Sequence, residues 1–344
     1  MKKRKIFMFG MIVFSVLLTS FSFYFYQVFY GANILLEQQD QAIIIQKDDD
    51  FDAVRNKFYD EEIINDVISF SFVSKVLGYQ DLVKPGVYQL TSGMSNLAAV
   101  RMLRAGAQKP VRVTFNNVRL KTELAEKITQ NTGIETSDFQ ILLEDNDYLS
   151  EYSVNTENVM TLFLPNTYEV YWTITAKELF AKMVAEHEKY WTADRLAKAK
   201  SLNLTSIEVS ILASIVQAES VKNDERPTIA GLYLNRLKKN IALQADPTLV
   251  YALGDFTIQR VLNEYKRVQS PYNTYLNRGL PPGPINLPTM SSIDAVLNYE
   301  KHDYIYMCAK EDFSGYHRFA KTLIEHNKNA ALFQKALNER RIFR

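Results

Sequence analysis

The residue whose surroundings best suit acid chemistry is Glu219. It closes an apolar run at helical spacing, Ile211, Leu212, Ile215 and Val216, so a carboxyl arrives at the end of a helix with an apolar body. A carboxyl placed there is partly dehydrated, dehydration raises its pKa, and a raised pKa is what a general acid needs. The rival reading is a helix-end carboxylate paired with Arg226 or Arg236. Further candidates follow within Ile211 to Gly254. Glu225 is either a site carboxylate or a first-turn acid favoured by the helix dipole. Asn235 and Gln244 carry amides that both donate and accept, which suits binding of a polar substrate. Arg236 could hold a carboxylate of a substrate or merely a neighbouring acid. The run Gln244-Ala245-Asp246-Pro247-Thr248 packs polar groups between two apolar segments. Asp246, beside a proline, is a natural turn former, and its place in that run also makes it a binding candidate together with Thr248. Tyr272, Asn273 and Tyr275 form the most sugar-like cluster, because aromatic faces pack on sugar C–H faces and amides bond their edges; the alternative is a loop that covers the core. His317 reads as a structural histidine or a catalyst, and His326 as structural or cleft-lining. His187 and His302 read as surface residues.

These groups need elements to hold them. A polar elbow, Lys222-Asn223-Asp224, separates the Glu219 helix from a second that starts near Glu225-Arg226-Pro227, with the proline in a first turn where its missing N–H costs little. The apolar face of that second helix is Ile229, Leu232, Tyr233 and Leu237. Four prolines and two glycines in Ser270 to Pro284 exclude regular helix or central strand there. Tyr304 to Ala309 reads as a strand, Gly315 to Phe319 as a second strand or turn, and Thr322 to Leu337 as a final helix. Upstream, Asn33 to Ala107 reads as a small α/β module: a strand at Ala42 to Ile45, helices at Asp50 to Phe58 and Glu61 to Phe72, and a strand opening at Pro85. A helix capped by Ser95 follows, with Gly106 just past its end. Val111 to Phe115 alternates as a strand and Leu120 to Thr132 as an amphipathic helix. Residues 137–160 are polar, Leu164 to Tyr168 is a turn, and Ala176 to Leu202 is a charged, solvated helix pair.

The 344 residues suffice for two or three domains, and 47% hydrophobic with 23% charged residues is ordinary globular composition. A net charge of +1 argues against a nucleic-acid partner. The lone cysteine excludes an internal disulfide and, with four scattered histidines, argues against a metal site. No phosphate-binding loop or other cofactor motif occurs. Lys2-Lys3-Arg4-Lys5 precedes an uncharged stretch from Ile6 to Tyr26, about the ~20 residues that a helix needs to cross ~30 Å of hydrocarbon. Aromatics from Phe21 to Tyr30 fit an interfacial belt, and the basic cluster fits a cytoplasmic N-terminus. The expectation is one transmembrane helix with the remainder outside the cytoplasm. The alternative is a signal peptide cleaved near Gly31-Ala32.

ASIVQAES around Glu219, then ERPTIAGLYLNRL, QADPT, YNTY, GLPPGPI and the late GYHRF and EHN, resemble the MltG (YceG-like) endolytic murein transglycosylases over nearly the whole chain. The resemblance implies an α+β protein: a cytoplasmic basic segment at 1–5, a transmembrane helix at 6–30, a LysM-like α/β module at 31–108 and a lysozyme-like, YceG-type mixed catalytic domain at 109–344. It implies an enzyme of the cell (inner) membrane, facing the periplasm, that cleaves the MurNAc–GlcNAc bond of nascent peptidoglycan glycan strands and leaves 1,6-anhydro ends. No cofactor or metal is implied; peptidoglycan synthases of the elongation or division machinery are candidate partners. Carried onto this chain, the catalytic acid is Glu219, next to Ser220 in an acid–serine pair shared with other lytic transglycosylases. Three positions depart from the usual pattern. Gln217 stands where many relatives have a second acid, Leu164-Pro165-Asn166-Thr167-Tyr168 replaces Phe-Pro-Asp-Thr-Tyr, and Arg318 lies inside the late His-x-Phe element. Two rivals remain: a hydrolytic muramidase pairing Glu219 with Asp246 or Glu225, and a non-catalytic wall-binding scaffold.

Overall fold

The order of elements follows from where apolar periodicity meets capping residues. In the computed structural model, which describes residues 2–258 and 260–340, the chain forms two units. One takes the chain up to residue 113 with 131–134 and 169–175; the other takes 114–130, 135–168 and the chain from 176 onward.

The first unit begins with α1 (Lys2–Tyr30), apolar on every side after its basic first turn and exposed until its last turn, where Val28 and Phe29 are buried. Then come β1 (Asp40–Ile45), α2 (Phe51–Asp60), α3 (Val67–Val76), β2 (Gly86–Thr91) and α4 (Asn96–Ala105). β1 and β2 pair antiparallel, Asp40 opposite Thr91 and Ile45 opposite Gly86. Phe58, Phe70, Tyr79 and Tyr88 fill the core beneath them. A buried polar knot ties the end of α1 into this core. Asn33 donates to Asn96 Oδ1 (2.6 Å), and Asn96 donates to the Val28 carbonyl (2.9 Å) and to Ser69 Oγ (3.0 Å). Ser95 and Gly106 cap α4 as expected, the glycine at φ +72°. The helix expected from Glu61 starts six residues later: Ile63 and Ile64 sink into the core in extended chain, and Asp66 then caps α3 by accepting from the Ile68 and Ser69 amides.

β3 (Val111–Phe115) leads into the second unit and pairs with β4 (Asn166–Val170). The segment read as a turn at Leu164 to Tyr168 therefore opens a strand, with Leu164 and Tyr168 buried. Between the two strands lie α5 (Lys121–Thr129), α6 (Thr136–Glu144) and α7 (Asn146–Ser150). α8 (Ala176–Tyr190) and α9 (Ala193–Ser201) occupy the stretch read as solvated, but α8 buries Leu179, Phe180, Met183, His187 and Tyr190. His187 is 7% exposed rather than a surface residue. Its charged residues hold one face while a phenylalanine cluster claims the other: the Phe180 ring lies 5.5 Å from Phe163 and 6.3 Å from Phe139.

The centre of this unit is α10 (Ser206–Glu219), opened by a Thr205–Glu208 capping box and buried at every position from Val209 to Val216. α11 (Arg226–Lys238) crosses it after the elbow, and α12 (Asp246–Leu253) and α13 (Met290–Leu297) pack on α10. Asp246 is thus the first residue of a helix with Pro247 behind it, rather than a free turn. Gly231 lets α11 approach the chain at Glu300, whose carbonyl any Cβ there would strike. His302 is not a surface residue either: it fills this approach, with Nε2 2.9 Å from the Thr228 carbonyl. The antiparallel hairpin β5 (Tyr306–Ala309) and β6 (His317–Ala320) and the helix α14 (Leu323–Glu339), capped by Thr322, finish the chain.

Candidate active site

Glu219 is the last helical residue of α10; Ser220 is already extended, so the backbone turns away and leaves the side chain at the helix end. Its carboxyl meets the next helix, where Tyr233 donates its hydroxyl to Glu219 Oε1 at 2.5 Å. Both line a cavity of about 420 Å³. The floor comes from α10 and α11 with Glu219, Leu232, Tyr233 and Arg236; one wall from Leu243, Gln244, Asp246 and Tyr275; the other from the hairpin and α14 with Tyr306, Met307, Cys308, His317 and His326.

The electrostatics match the expectation for an acid. Burial pushes the Glu219 carboxyl up to about 7; the Tyr233 hydrogen bond opposes that rise, the charge of Asp246 adds to it, and Arg236 opposes it again. The residue as a whole keeps some exposure at the cavity wall, but its carboxyl lies deep enough for desolvation to dominate. Among the described residues Glu219 makes no ion pair. The two arginines that could have pinned it are committed elsewhere. Arg226 donates to the Ser220 carbonyl (3.1 Å) and to Ser292 Oγ (3.0 Å). Arg236 donates to the carbonyls of Ile305 (2.6 Å), Ala242 (3.0 Å) and Leu243 (2.7 Å). That guanidinium supplies positive potential at the cavity floor while fastening the loop before α12.

Seven of the residues singled out in the sequence line the cavity: Glu219, Arg236, Gln244, Asp246, Tyr275, His317 and His326. Asp246 Oδ1 accepts the Tyr275 hydroxyl at 2.5 Å. Gln244 sits at φ +54° and its side-chain oxygen meets Arg236 at 3.3 Å. His317 is held by buried Glu225, which accepts from its backbone N–H (2.6 Å), stands 2.8 Å from its Nδ1, and also takes the Ser220 hydroxyl at 3.1 Å. Glu225 and Ser220 therefore lie behind the wall and orient a residue on it.

The remaining four are spent on framework. Asn235 donates to the carbonyls of His302 (2.7 Å) and Tyr304 (3.0 Å). Thr248 is buried between the Ala245 carbonyl and Thr274 Oγ1. Asn273 is buried, donates to the carbonyls of Lys266 and Val268, and accepts the Tyr275 amide, which aims the tyrosine at Asp246. The Tyr272 ring lies 4.7 Å from that of Tyr251, away from the cavity lining. Gln217 donates to Asn286 and the Leu287 carbonyl and accepts from the Thr289 amide and the Ser292 hydroxyl. Its amide pins the proline-rich loop, and a carboxylate there would lose both donations.

Tyr233 is the cavity residue the sequence reading missed, because its spacing placed it on an apolar helix face. The available signal was its hydroxyl: a buried tyrosine needs a polar partner. Tyr306 and Cys308 were likewise read only as strand residues.

Residues 43–332 match the pattern of the YceG-like family. A relative from Bacillus subtilis (strain 168) named endolytic murein transglycosylase is 30% identical over 295 residues, covering 80% of this chain and 81% of its own. A relative of the same name from Streptococcus pneumoniae (strain D39) is 26% identical over 362 residues, covering 95% of this chain and 65% of its own. The fold is similar to the crystal structure of a YceG-like protein from Listeria monocytogenes, with a TM-score of 0.56 and 27% identity, covering 84% of this chain and 98% of that one.

Proposed function

The chain belongs to the YceG-like family, and from that membership we propose that it is an endolytic murein transglycosylase that cuts peptidoglycan glycan strands with Glu219 as its single acid–base group. One observation carries the assignment: a carboxyl in a cavity, free of any ion pair among the described residues, and raised by burial to about 7. Such a group is partly protonated at neutral pH and can both give and take a proton. With Oε1 occupied by the Tyr233 hydroxyl, Oε2 carries the transferable proton. In the first step Glu219 protonates the glycosidic oxygen between MurNAc and GlcNAc as the C1–O bond breaks. The oxocarbenium-like sugar is stabilised by its own acetamido group. In the second step the Glu219 carboxylate takes the proton from the C6 hydroxyl of the same MurNAc, whose oxygen closes on C1. The product is a 1,6-anhydro end, and water takes no part.

The basic cluster at Lys2 to Lys5 and the apolar helix behind it support an N-terminus in the cytoplasm and a catalytic unit outside it. The LysM-like reading of residues 31–108 and the partnership with peptidoglycan synthases belong to this proposal too, as consequences of the family resemblance.

A second reading has one observation in its favour. Asp246 lines the same cavity and could act beside Glu219 in a hydrolytic muramidase. Digestion of purified glycan strands followed by mass spectrometry decides. Anhydro ends are expected, and reducing ends would establish hydrolysis. Glu219→Gln is expected to lower the cleavage rate by roughly 10³-fold, with circular dichroism and melting unchanged or improved; near-normal cleavage by that variant would overturn the assignment.

A further inference from the structure

We propose that α3 is a second membrane contact, with its exposed face lying in the lipid leaflet that α1 leaves. The proposal rests on the reading of α1 as a membrane anchor. It starts from an oddity of α3: the helix is apolar on both sides. Phe70 and Val73 face the core, yet Ile68 (79% exposed), Phe72 (51%) and Val76 (57%) stand outward at four-residue spacing. A surface helix normally turns polar residues to water, and one that is apolar all round belongs in a core or in lipid. On this outward stripe the four-residue spacing brings the three side chains together on one helix face.

The direction of α3 is what connects the stripe to lipid. Asn33, three residues past α1, exchanges hydrogen bonds with the backbone of Asp66 at the start of α3 (3.0 and 2.7 Å). Further down, Asn96 bridges the Val28 carbonyl and Ser69 Oγ, and the Phe29 and Phe72 rings meet edge to face at 6.2 Å. The two helices therefore run antiparallel, and moving back along α1 into the bilayer means moving towards the C-terminus of α3. At 1.5 Å per residue Val76 lies about 6 Å beyond Phe72, in the direction of Phe25, which stacks on Phe29. The end of α3 thus reaches the level of the aromatic belt of α1. Arg101 and Arg104, with Leu77 and Leu82, border a cavity of about 310 Å³ at this same end. Those cations, with exposed Lys75, stand where phosphate headgroups would meet the helix. Hydrogen bonds join residues 31–35 to Gln27, Met94 and Ile63, so α1 holds α3 at a fixed height rather than on a loose tether.

The test uses the full-length protein reconstituted into phospholipid vesicles whose lipids are brominated near the top of the acyl chains. Tryptophan is placed at Phe72→Trp and Val76→Trp, at Tyr26→Trp within α1 as the lipid reference, and at exposed Tyr59→Trp on α2 as the aqueous reference; the unsubstituted protein supplies the background from Trp172 and Trp191. The expected result is that bromine quenches both α3 tryptophans by at least half of the loss seen at Tyr26→Trp and leaves Tyr59→Trp unquenched. Quenching at Tyr26→Trp alone would overturn the proposal while leaving the anchor in place. No quenching at Tyr26→Trp would remove the anchor reading and the proposal with it.

Discussion

The pair Glu219–Tyr233 sets the chemistry of the cavity. A phenol donating at 2.5 Å favours the ionised carboxylate, whereas burial and the charge of Asp246 favour the acid. The group is thereby poised near 7 rather than driven to one form. The proposed first step needs Glu219 protonated, so kcat/KM is expected to fall as pH rises through that value. In Tyr233→Phe the opposing hydrogen bond is gone and the carboxyl pKa rises. The descending limb of the pH–rate profile should then move to higher pH by about one unit. A pH profile of glycan cleavage reads this directly: a Tyr233→Phe variant slower at every pH with an unmoved limb would mean that the tyrosine only supports the fold. Glu219 itself was legible because an acid terminating an apolar helix is conspicuous in one dimension. Tyr233 was not, since fourteen positions and an elbow separate it from its partner, and only the crossing of α10 and α11 brings the hydroxyl to the carboxyl.

At the scale of elements, what the sequence disclosed were helices whose ends carry their own signals. Ser95 and Gly106 bound α4, Pro227 starts α11 and Thr322 opens α14. The misread elements share a cause: their partners lie far away in the chain. Asn166 to Val170 becomes a strand because β3 stands ready to pair with it, and Ile63 and Ile64 stay extended because the core beneath them is supplied by later residues. α8 looked solvated because charged residues recur along its whole length, yet its inner face closes over Phe163 and Phe139 and takes His187 with it. Burial lowers the His187 pKa to about 4, and its buried Nε2 has no hydrogen-bond partner among the described residues. The unfolded chain takes up a proton as pH falls through about 6.5, while the native state resists until about 4. Stability contributed by neutral His187 is thus present above pH 6.5 and is lost as pH falls through this window. His187→Leu should leave stability at pH 7 intact and reduce the loss between pH 7 and 4.5 by about 2 kcal/mol. Denaturant melts of the detergent-solubilised protein at those two pH values measure it; an equal acid loss in both proteins would mean that the histidine is already charged when folded.

At the scale of the whole molecule the open question is whether α1 stays attached. Composition alone left two readings of the N-terminus, an anchor and a cleavable signal peptide ending near Gly31-Ala32. The packing of the last turn of α1 favours the anchor. Val28 and Phe29 are each 7% exposed and belong to the core of the first unit, where Phe29 meets Phe72 and Asn96 donates to the Val28 carbonyl. Cleavage after residue 31 or 32 would pull two apolar side chains out of that core. It would also leave the Asn96 amide, buried between Val28 and Ser69, short of an acceptor. Losing a buried large apolar side chain costs about 2–5 kcal/mol and stranding a buried donor about 1–3 kcal/mol, a large share of the roughly 5–15 kcal/mol that holds a domain together. A chain selected to shed residues 1–30 would not build its core from their last turn. The intact mass of the protein recovered from membranes should therefore include the Lys2–Lys5 cluster and all of α1, and the protein should stay with the membrane through alkaline carbonate extraction. A mature N-terminus at residue 32 or 33 would show instead that the core of the first unit closes without Val28 and Phe29.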